Sequence, residues 1–305
     1  MMRRAFKWLY RLGLRRDYPR VDRIRYLKRL ESGKHPEDDR YFVARDAEQF
    51  SSGAEVCIAA DFMGKRVAFL CDPKNHFERL IIRQGFAGHP VLDHMAGFAA
   101  PGSIVLDVGA NVGAYSVPLA AGRPDLAVHA FEPNPTVVPR LERNRNLNRA
   151  ANLVVHATAL GEAAGEASFY RFDDDVSLSS LNRHAAELHG TPLVTSVRVE
   201  TVDALFARES RRVGFIKIDV QGAELGVLKG AAETIAAHRP TLLLEHEDSH
   251  FESAGLARAH KAELAALLGG AGYRCLCLSR YDGRLLFQVD WSRPLHGDVL
   301  ALPEG

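Results

Sequence analysis

From residue 103 onward, apolar runs of strand length alternate with helical patterns, and that alternation constrains the fold of this chain more than any other feature. Residues 103–109 (SIVLDVG), 127–133 (AVHAFEP), 152–160 (NLVVHATAL), 213–220 (VGFIKIDV) and 241–247 (TLLLEHE) read as buried strands. Helical patterns occupy 115–121, 136–148, 223–238 and 257–268. Strands joined through helices lie parallel, with right-handed crossovers and both faces covered. The chain is therefore α/β, built on a mostly parallel Rossmann-like sheet. Strands near 273–279 and 283–290 meet at Asp282-Gly283, which predicts an antiparallel hairpin at the sheet end. Two polar strands, near 167–172 and 195–200, flank an insertion at 173–192.

A lead-in precedes this pattern. Residues 54–72 read as two strands around a Met-Gly-Lys turn, a small β hairpin. Helical patterns follow at 75–84 and 90–98, the second stopped by Pro101 and Gly102. With 305 residues the chain suits one large α/β unit plus an appendage. The expected organisation is a basic N-terminal arm at 1–50, a hairpin and helical lead-in at 51–100, and a ligand-binding α/β domain at 101–305.

The net charge of +1 conceals two opposed halves. Residues 1–30 hold eleven of the 39 Lys and Arg but only Asp17 and Asp22 among the 38 acids. On a helical wheel Arg4, Lys7, Arg11 and Arg15 share one face, opposite Met2, Phe6, Leu9 and Leu12. Basic amphipathic helices with interfacial aromatics lie on anionic membranes. Docking on the acidic body of the same chain is the competing reading. No basic-aromatic groove accompanies the arm, so nucleic acid is not an expected partner. No apolar run reaches spanning length, and the basic start lacks the apolar segment of a signal peptide. The expected location is the cytoplasm, with peripheral contact at the inner face of the membrane as an option. Four cysteines without CxxC or zinc spacing agree with a reducing compartment, where Cys57 and Cys71 are expected to be buried thiols.

The segment DVGANVG puts Asp107, Gly109 and Gly113 at a strand-to-helix turn, where open α/β sheets bind nucleotides. A dinucleotide fingerprint needs glycine at the middle position, which is Asn111 here, and Asp107 would repel a pyrophosphate. A carboxylate before the loop suits a cationic ligand. The next strand ends in Glu132, placed to accept both hydroxyls of a ribose. Adenosine joined to a positive group fits both, and S-adenosylmethionine is such a molecule. The competing reading makes Gly109 and Gly113 packing glycines and Glu132 a solvated strand end.

With these residues in view the chain resembles the FkbM family of S-adenosylmethionine-dependent methyltransferases. The likeness runs from about residue 75 to 247, through VLDVGANVGAYS (105–116), FEPNP (131–135), ALGEAAGEASFY (159–170), SLSSL (177–181) and FIKIDVQGAELGVLKGA (215–231). The family typically has Glu where this chain has Gln221. The resemblance implies a class I methyltransferase sheet of seven strands. It also implies cofactor roles for Asp107, Gly109, Gly113 and Glu132, with Asn111 and Asn134 in the same two segments. The activity it implies is O-methylation of a hydroxyl on a sugar, glycan or secondary metabolite.

An alcohol must lose its proton as it attacks a methyl group, so an aligned base is wanted. The fourth strand ends in Asp219 and the fifth in Glu245 and His246, neighbours at the expected crevice. Asp219 is the first candidate to orient or deprotonate the hydroxyl, with His246 and Glu245 beside it. Lys217 and Asp219 also read as a buried ion pair, and Glu224 as a helix-start acid. The run 173–175 of three aspartates reads as a solvated loop near the acceptor segment SLSSL, with a divalent cation as the competing reading, and no resident metal is predicted. His246-Glu247-Asp248-Ser249-His250 spells H-E-x-x-H, which makes a zinc hydrolase a remote alternative, but the string follows a strand and not a helix. A related sheet also suits a nucleotide-binding protein without catalysis or a NAD-dependent oxidoreductase, although Asn111 argues against NAD.

Overall fold

A computed structural model describes residues 55–84, 90–173, 175–278 and 285–304. The basic arm with its helical wheel, and the Asp282-Gly283 turn, lie outside the described residues. The first element is the expected hairpin, β1 (Val56–Phe62) and β2 (Lys65–Cys71). Its two-residue turn, Met63-Gly64, has φ of 48° and 77°, the double-positive geometry that matches strand twist. The register sets Cys71 opposite Val56, one residue away from Cys57. The two thiols therefore lie on opposite faces, and Cys57 is exposed where a buried thiol is expected.

Helices α1 (His76–Gln84) and α2 (Pro90–Phe98) lead into β3 (Ile104–Val108), α3 (Ser116–Gly122), β4 (Ala127–Phe131), α4 (Val138–Leu147) and β5 (Leu153–His156). The strand expected over 152–160 is two. After β5 the chain turns at Thr158, whose hydroxyl donates to the Arg198 carbonyl at 2.9 Å. Ala159–Leu160 (β6) then joins β7 (Gly165–Arg171) and β8 (Leu193–Glu200) in a separate three-stranded sheet, ordered β6-β8-β7. Between β7 and β8 the insertion carries a 3-10 turn at Val176–Leu178 and helix α5 (Arg183–Glu187).

Helix α6 (Val202–Phe206) leads to β9 (Val213–Ile218). The expected helix over 223–238 is broken into α7 (Glu224–Lys229) and α8 (Ala232–His238). The Asp203 carboxylate accepts from the backbone N–H groups of Glu233 and Thr234 at 3.0 and 2.7 Å, satisfying the new helix start. Strand β10 (Thr241–Glu247), helix α9 (Ala254–Gly270), β11 (Tyr273–Leu278), β12 (Leu285–Gln288) and β13 (His296–Pro303) complete the described chain.

The main sheet has eight strands in the order β12-β11-β13-β10-β9-β3-β4-β5. The strands from β5 through β10 are parallel, whereas β13 runs antiparallel to both β10 and β11. The expected hairpin exists as β11 and β12, but the strand beside β10 is β13, which is not among the expected strands.

Alternation along these strands divides the core in two. One face carries Val105, Phe215, Leu243 and Leu300 and packs against the lead-in and α2 to α4 through Phe69, Leu92, Leu119 and Leu141. The other carries Leu106, Ile216, Leu244 and Val299 and packs against α6 to α9 through Phe206, Val227, Ile235 and Leu264. Burial on both faces explains why these strands read as continuous apolar runs. Among the described residues no helix is long and apolar enough to cross a membrane.

Candidate active site

Charged residues gather on the first core face where the parallel strands end. Register pairs Asp107 on β3 with Lys217 on β9, and Glu245 on β10 with Asp298 on β13. One pleat beyond Lys217 the same face carries Asp219. The Lys217 ammonium, 3% exposed, lies 3.4 Å from Asp107 and 3.3 Å from Asp219, and 4.8 Å over the ring of Tyr115. Burial disfavours its charge, yet Asp219, Asp107 and Glu245 outweigh that and raise its pKa. Burial likewise pushes the Asp219 carboxyl up, but Lys217 and hydrogen bonds from its neighbours hold it down at about 2. Gln221 Nε2 donates to both Asp219 (3.0 Å) and Glu245 (3.1 Å), bridging the two acids.

All of these groups except Asp107 border a cleft of about 320 Å³ at the carboxyl ends of the strands. Its opposite wall holds Glu132, which ends β4. Glu132 Oε2 accepts from the N–H of Asn111 at 2.8 Å, and Oε1 from that of Asn134 at 2.9 Å. Burial against these hydrogen bonds pushes the Glu132 carboxyl up to about 7. Each oxygen keeps a lone pair, so the group can still accept from a diol in the cleft. Val91 of α2 and the insertion segment Ser177–Leu181 complete the rim. The Ser180 hydroxyl donates to the carbonyl of Gln221 at 2.7 Å and accepts from Asn182 N–H at 2.8 Å, tying the insertion to the loop after β9.

The structure brings Gly109, Asn111, Glu132, Asp219 and Glu245 together around this cleft. It places the remaining candidates elsewhere. Asp107 is fully buried beneath the cleft floor, and the cation it meets is Lys217. Gly113 is set by packing: at φ 88° an added Cβ would stand 2.4 Å from Leu141 Cδ1. Gly109, at φ 79°, lines the cleft, but its closest constraint is internal, an added Cβ falling 1.9 Å from the Asp219 carbonyl oxygen. Asn134 is buried under the turn, where its side-chain oxygen accepts from the Thr136 N–H and hydroxyl.

His246 is the main displacement. Alternation along β10 turns it away from Glu245 to the second face, where its ring stacks on His260 and Phe251. The H-E-x-x-H string runs from the end of β10 into a 3-10 turn at Asp248–His250, so it lacks the helical face its zinc chemistry needs. In the acidic run, Asp173 pairs with Arg171 and Asp175 accepts from Ser177 N–H; Asp174 lies outside the described residues.

Sequence reasoning misses Gln221 as a bridge, Asp298, and Tyr115, whose hydroxyl is held well above its usual range by burial and the surrounding carboxylates. A signal for Asp298 exists in the apolar run Val299–Leu302, which marks it as the entry to a strand.

A mostly parallel sheet with one antiparallel strand between β10 and β11, and a cleft at the carboxyl ends of β3, β4, β9 and β10, defines a class I methyltransferase fold. Residues 107–275 match the family described as the Methyltransferase FkbM domain, more than half of the chain, and the chain belongs to that family. It is 28% identical over 200 residues to the 31-O-demethyl-FK506 methyltransferase FkbM of Streptomyces tacrolimicus, covering 57% of this chain and 73% of that one. It is 27% identical over 324 residues to the AMB antimetabolite synthetase AmbE of Pseudomonas aeruginosa, covering 90% of this chain and 15% of the synthetase. It is 26% identical over 133 residues to the hexuronic acid methyltransferase AglP of Haloferax volcanii, covering 43% and 51%. The chain thus spans a minor part of the synthetase and about half of the archaeal relative.

Proposed function

We propose that this protein is an S-adenosylmethionine-dependent O-methyltransferase whose acceptor is a hydroxyl of a sugar, glycan or secondary metabolite. One observation carries the reading: a cleft with a buried carboxylate, Glu132, on one wall and, on the other, Asp219 paired with Lys217 beside Glu245 and Asp298. The cofactor, when bound, would supply a methyl group on a positively charged sulfur. The acceptor oxygen forms the new C–O bond as the C–S bond breaks to leave a neutral thioether, and the hydroxyl proton is released to solvent. Glu132 would hold the ribose, and the acidic wall suits the positive end of the molecule. Asp219, held at about 2, is ionised at neutral pH and a weak base. Its role is to accept a hydrogen bond from the acceptor hydroxyl and aim its oxygen. The names of the FK506 and hexuronic acid relatives favour a hydroxyl-bearing small molecule or sugar.

The test is a thermal shift with S-adenosylhomocysteine and NAD in parallel. S-adenosylhomocysteine should stabilise the protein and NAD should not. Stabilisation by NAD alone would overturn the assignment. Labelled methyl transfer into glycan and metabolite pools then identifies the acceptor. We further propose that residues 1–30 attach the protein to anionic membrane surfaces. At low salt the intact chain should sediment with anionic vesicles and a chain lacking residues 1–30 should not; equal sedimentation removes the idea.

A further inference from the structure

The second face of the sheet holds a buried polar group that the methyl-transfer reading does not use. Glu224 opens α7, His246 lies on β10 and His260 on α9, three elements that meet only in the folded chain. Glu224 and His246 are each 2% exposed. The three residues bring one ligand atom each to within 4.8 Å of one another. Glu224 Oε2, His246 Nδ1 and His260 Nε2 are all buried without a hydrogen-bond partner among the described residues. An orphaned buried polar atom is costly, and three in one place ask for a shared partner.

The surroundings prepare these atoms for a cation. His246 Nε2 lies 3.0 Å from Asp248 Oδ1, and Asp248 Oδ2 accepts from the Lys261 ammonium at 2.7 Å. An ionised Asp248 can only accept, so it fixes the proton of His246 on Nε2 and leaves the Nδ1 lone pair free. A carboxylate behind a ligating imidazole is the usual device for orienting it. Glu224 is oriented in the same way, its other oxygen accepting from Gly222 N–H at 2.8 Å. The half-buried His260 ring offers the way in from solvent, beside Phe251.

We propose that Glu224, His246 and His260 bind a divalent transition-metal ion of the zinc kind, which ties α7, β10 and α9 together on the face opposite the cleft. Two imidazoles and one carboxylate form a donor set for zinc and not for magnesium or calcium. At zinc distances the ligand atoms stand about 3.4 Å apart, so loading draws them in by roughly an ångström. The ligand spacing explains why the sequence leads to an expectation of no resident metal: 22 and 14 residues separate the three, and no local motif joins them. His246 is the one member of the H-E-x-x-H string that takes part. The proposal stands independently of the cofactor and the acceptor.

The test loads the full chain with Zn²⁺ alone, removes loosely held metal by gel filtration and measures the retained metal by mass spectrometry. The wild type should keep about one zinc per chain, and E224Q/H260A less than a tenth of that. H189A, which removes an exposed imidazole elsewhere, should keep it all. Zn²⁺ at 100 times its Kd should raise the wild-type Tm by about 5–10 °C, and Mg²⁺ should not. Because the double variant can misfold, Co²⁺ is added to the wild type as well, where visible absorption bands of a nitrogen-ligated ion should appear. Elution of zinc-free wild type, equal retention by E224Q/H260A, or a cobalt spectrum unchanged from free aqueous ion would each overturn the assignment.

Discussion

Strand β10 separates two buried polar clusters that solve the same problem differently. On one face, Asp107 and Asp219 pair with the Lys217 ammonium, with Glu245 close enough to act on its charge, and the lysine compensates the acids it touches. On the other, His246 joins Glu224 and His260, and no side chain among the described residues bonds the atoms they leave free. The first cluster carries its cation in the covalent chain. The second, on the metal-site proposal, takes its cation from solution. Adjacent residues of one strand, Glu245 and His246, therefore belong to different chemistry, although both stand at the end of the same apolar run.

The contrast predicts a large loss from removing the built-in cation. Lys217→Met leaves Asp107 fully buried and unpaired, which should cost about 3–5 kcal/mol of stability in urea unfolding. A loss below about 1 kcal/mol would mean that Asp107 has another partner, and the first cluster would then resemble the second.

Asp219→Asn keeps the shape and removes the charge proposed to aim the acceptor. Methyl transfer should fall about 10²- to 10³-fold in kcat, with S-adenosylhomocysteine binding changed far less. The same variant tests the carboxyl held at about 2. Because that value lies below its unfolded 3.8, the group stabilises the protein above pH 4, and this contribution is lost as pH falls towards 2. Asp219→Asn should show a shallower acid loss over that window, measured by thermal melts.

The two clusters differ in how far the sequence reveals them, and the reason is physical. The parallel strands are readable because burial on both faces makes them continuous apolar runs, and Asp219 and Glu132 stand out as acids that end such runs. Period-two alternation decides the neighbouring pair at 245–246. With Leu243 facing the cleft core, Glu245 must share its face and His246 must oppose it. Asp107 shows the converse. Its place before the glycine loop is legible, but only the parallel register, which no local pattern encodes, reveals Lys217 directly opposite. The division at Thr158 and the insertion of β13 between β10 and β11 are likewise tertiary choices. The Glu224–His246–His260 group is invisible in the sequence because its members are brought together by three helix-and-strand packings and share no spacing.

Glu132 belongs to the cleft side, where burial outweighs its backbone hydrogen bonds and the charge of Lys217 and pushes its carboxyl up to about 7 from 4.5. In the free protein it therefore contributes stability below pH 4.5 that is lost as pH rises through 7. Ribose hydroxyls favour the ionised form, so the affinity for S-adenosylhomocysteine should rise about tenfold between pH 6 and 8. Glu132→Gln should bind weakly and flatten the slope, as measured by titration calorimetry. An unchanged slope in that variant would assign the pH dependence to another group.

The smallest effect is expected on the other face, in metal-free protein. His260→Leu replaces a ring whose Nε2 bonds nothing among the described residues with an apolar side chain beside Phe251 and His246. Removing an unsatisfied polar atom in favour of apolar contact is close to neutral, so the urea stability should change by less than about 1 kcal/mol in either direction. Zinc should then divide the two proteins, stabilising the wild type and leaving His260→Leu where it was. A metal-free loss as large as that of Lys217→Met would show that His260 already has a partner. The two faces of β10 would then both be internally compensated, and the difference between them would lie in composition alone.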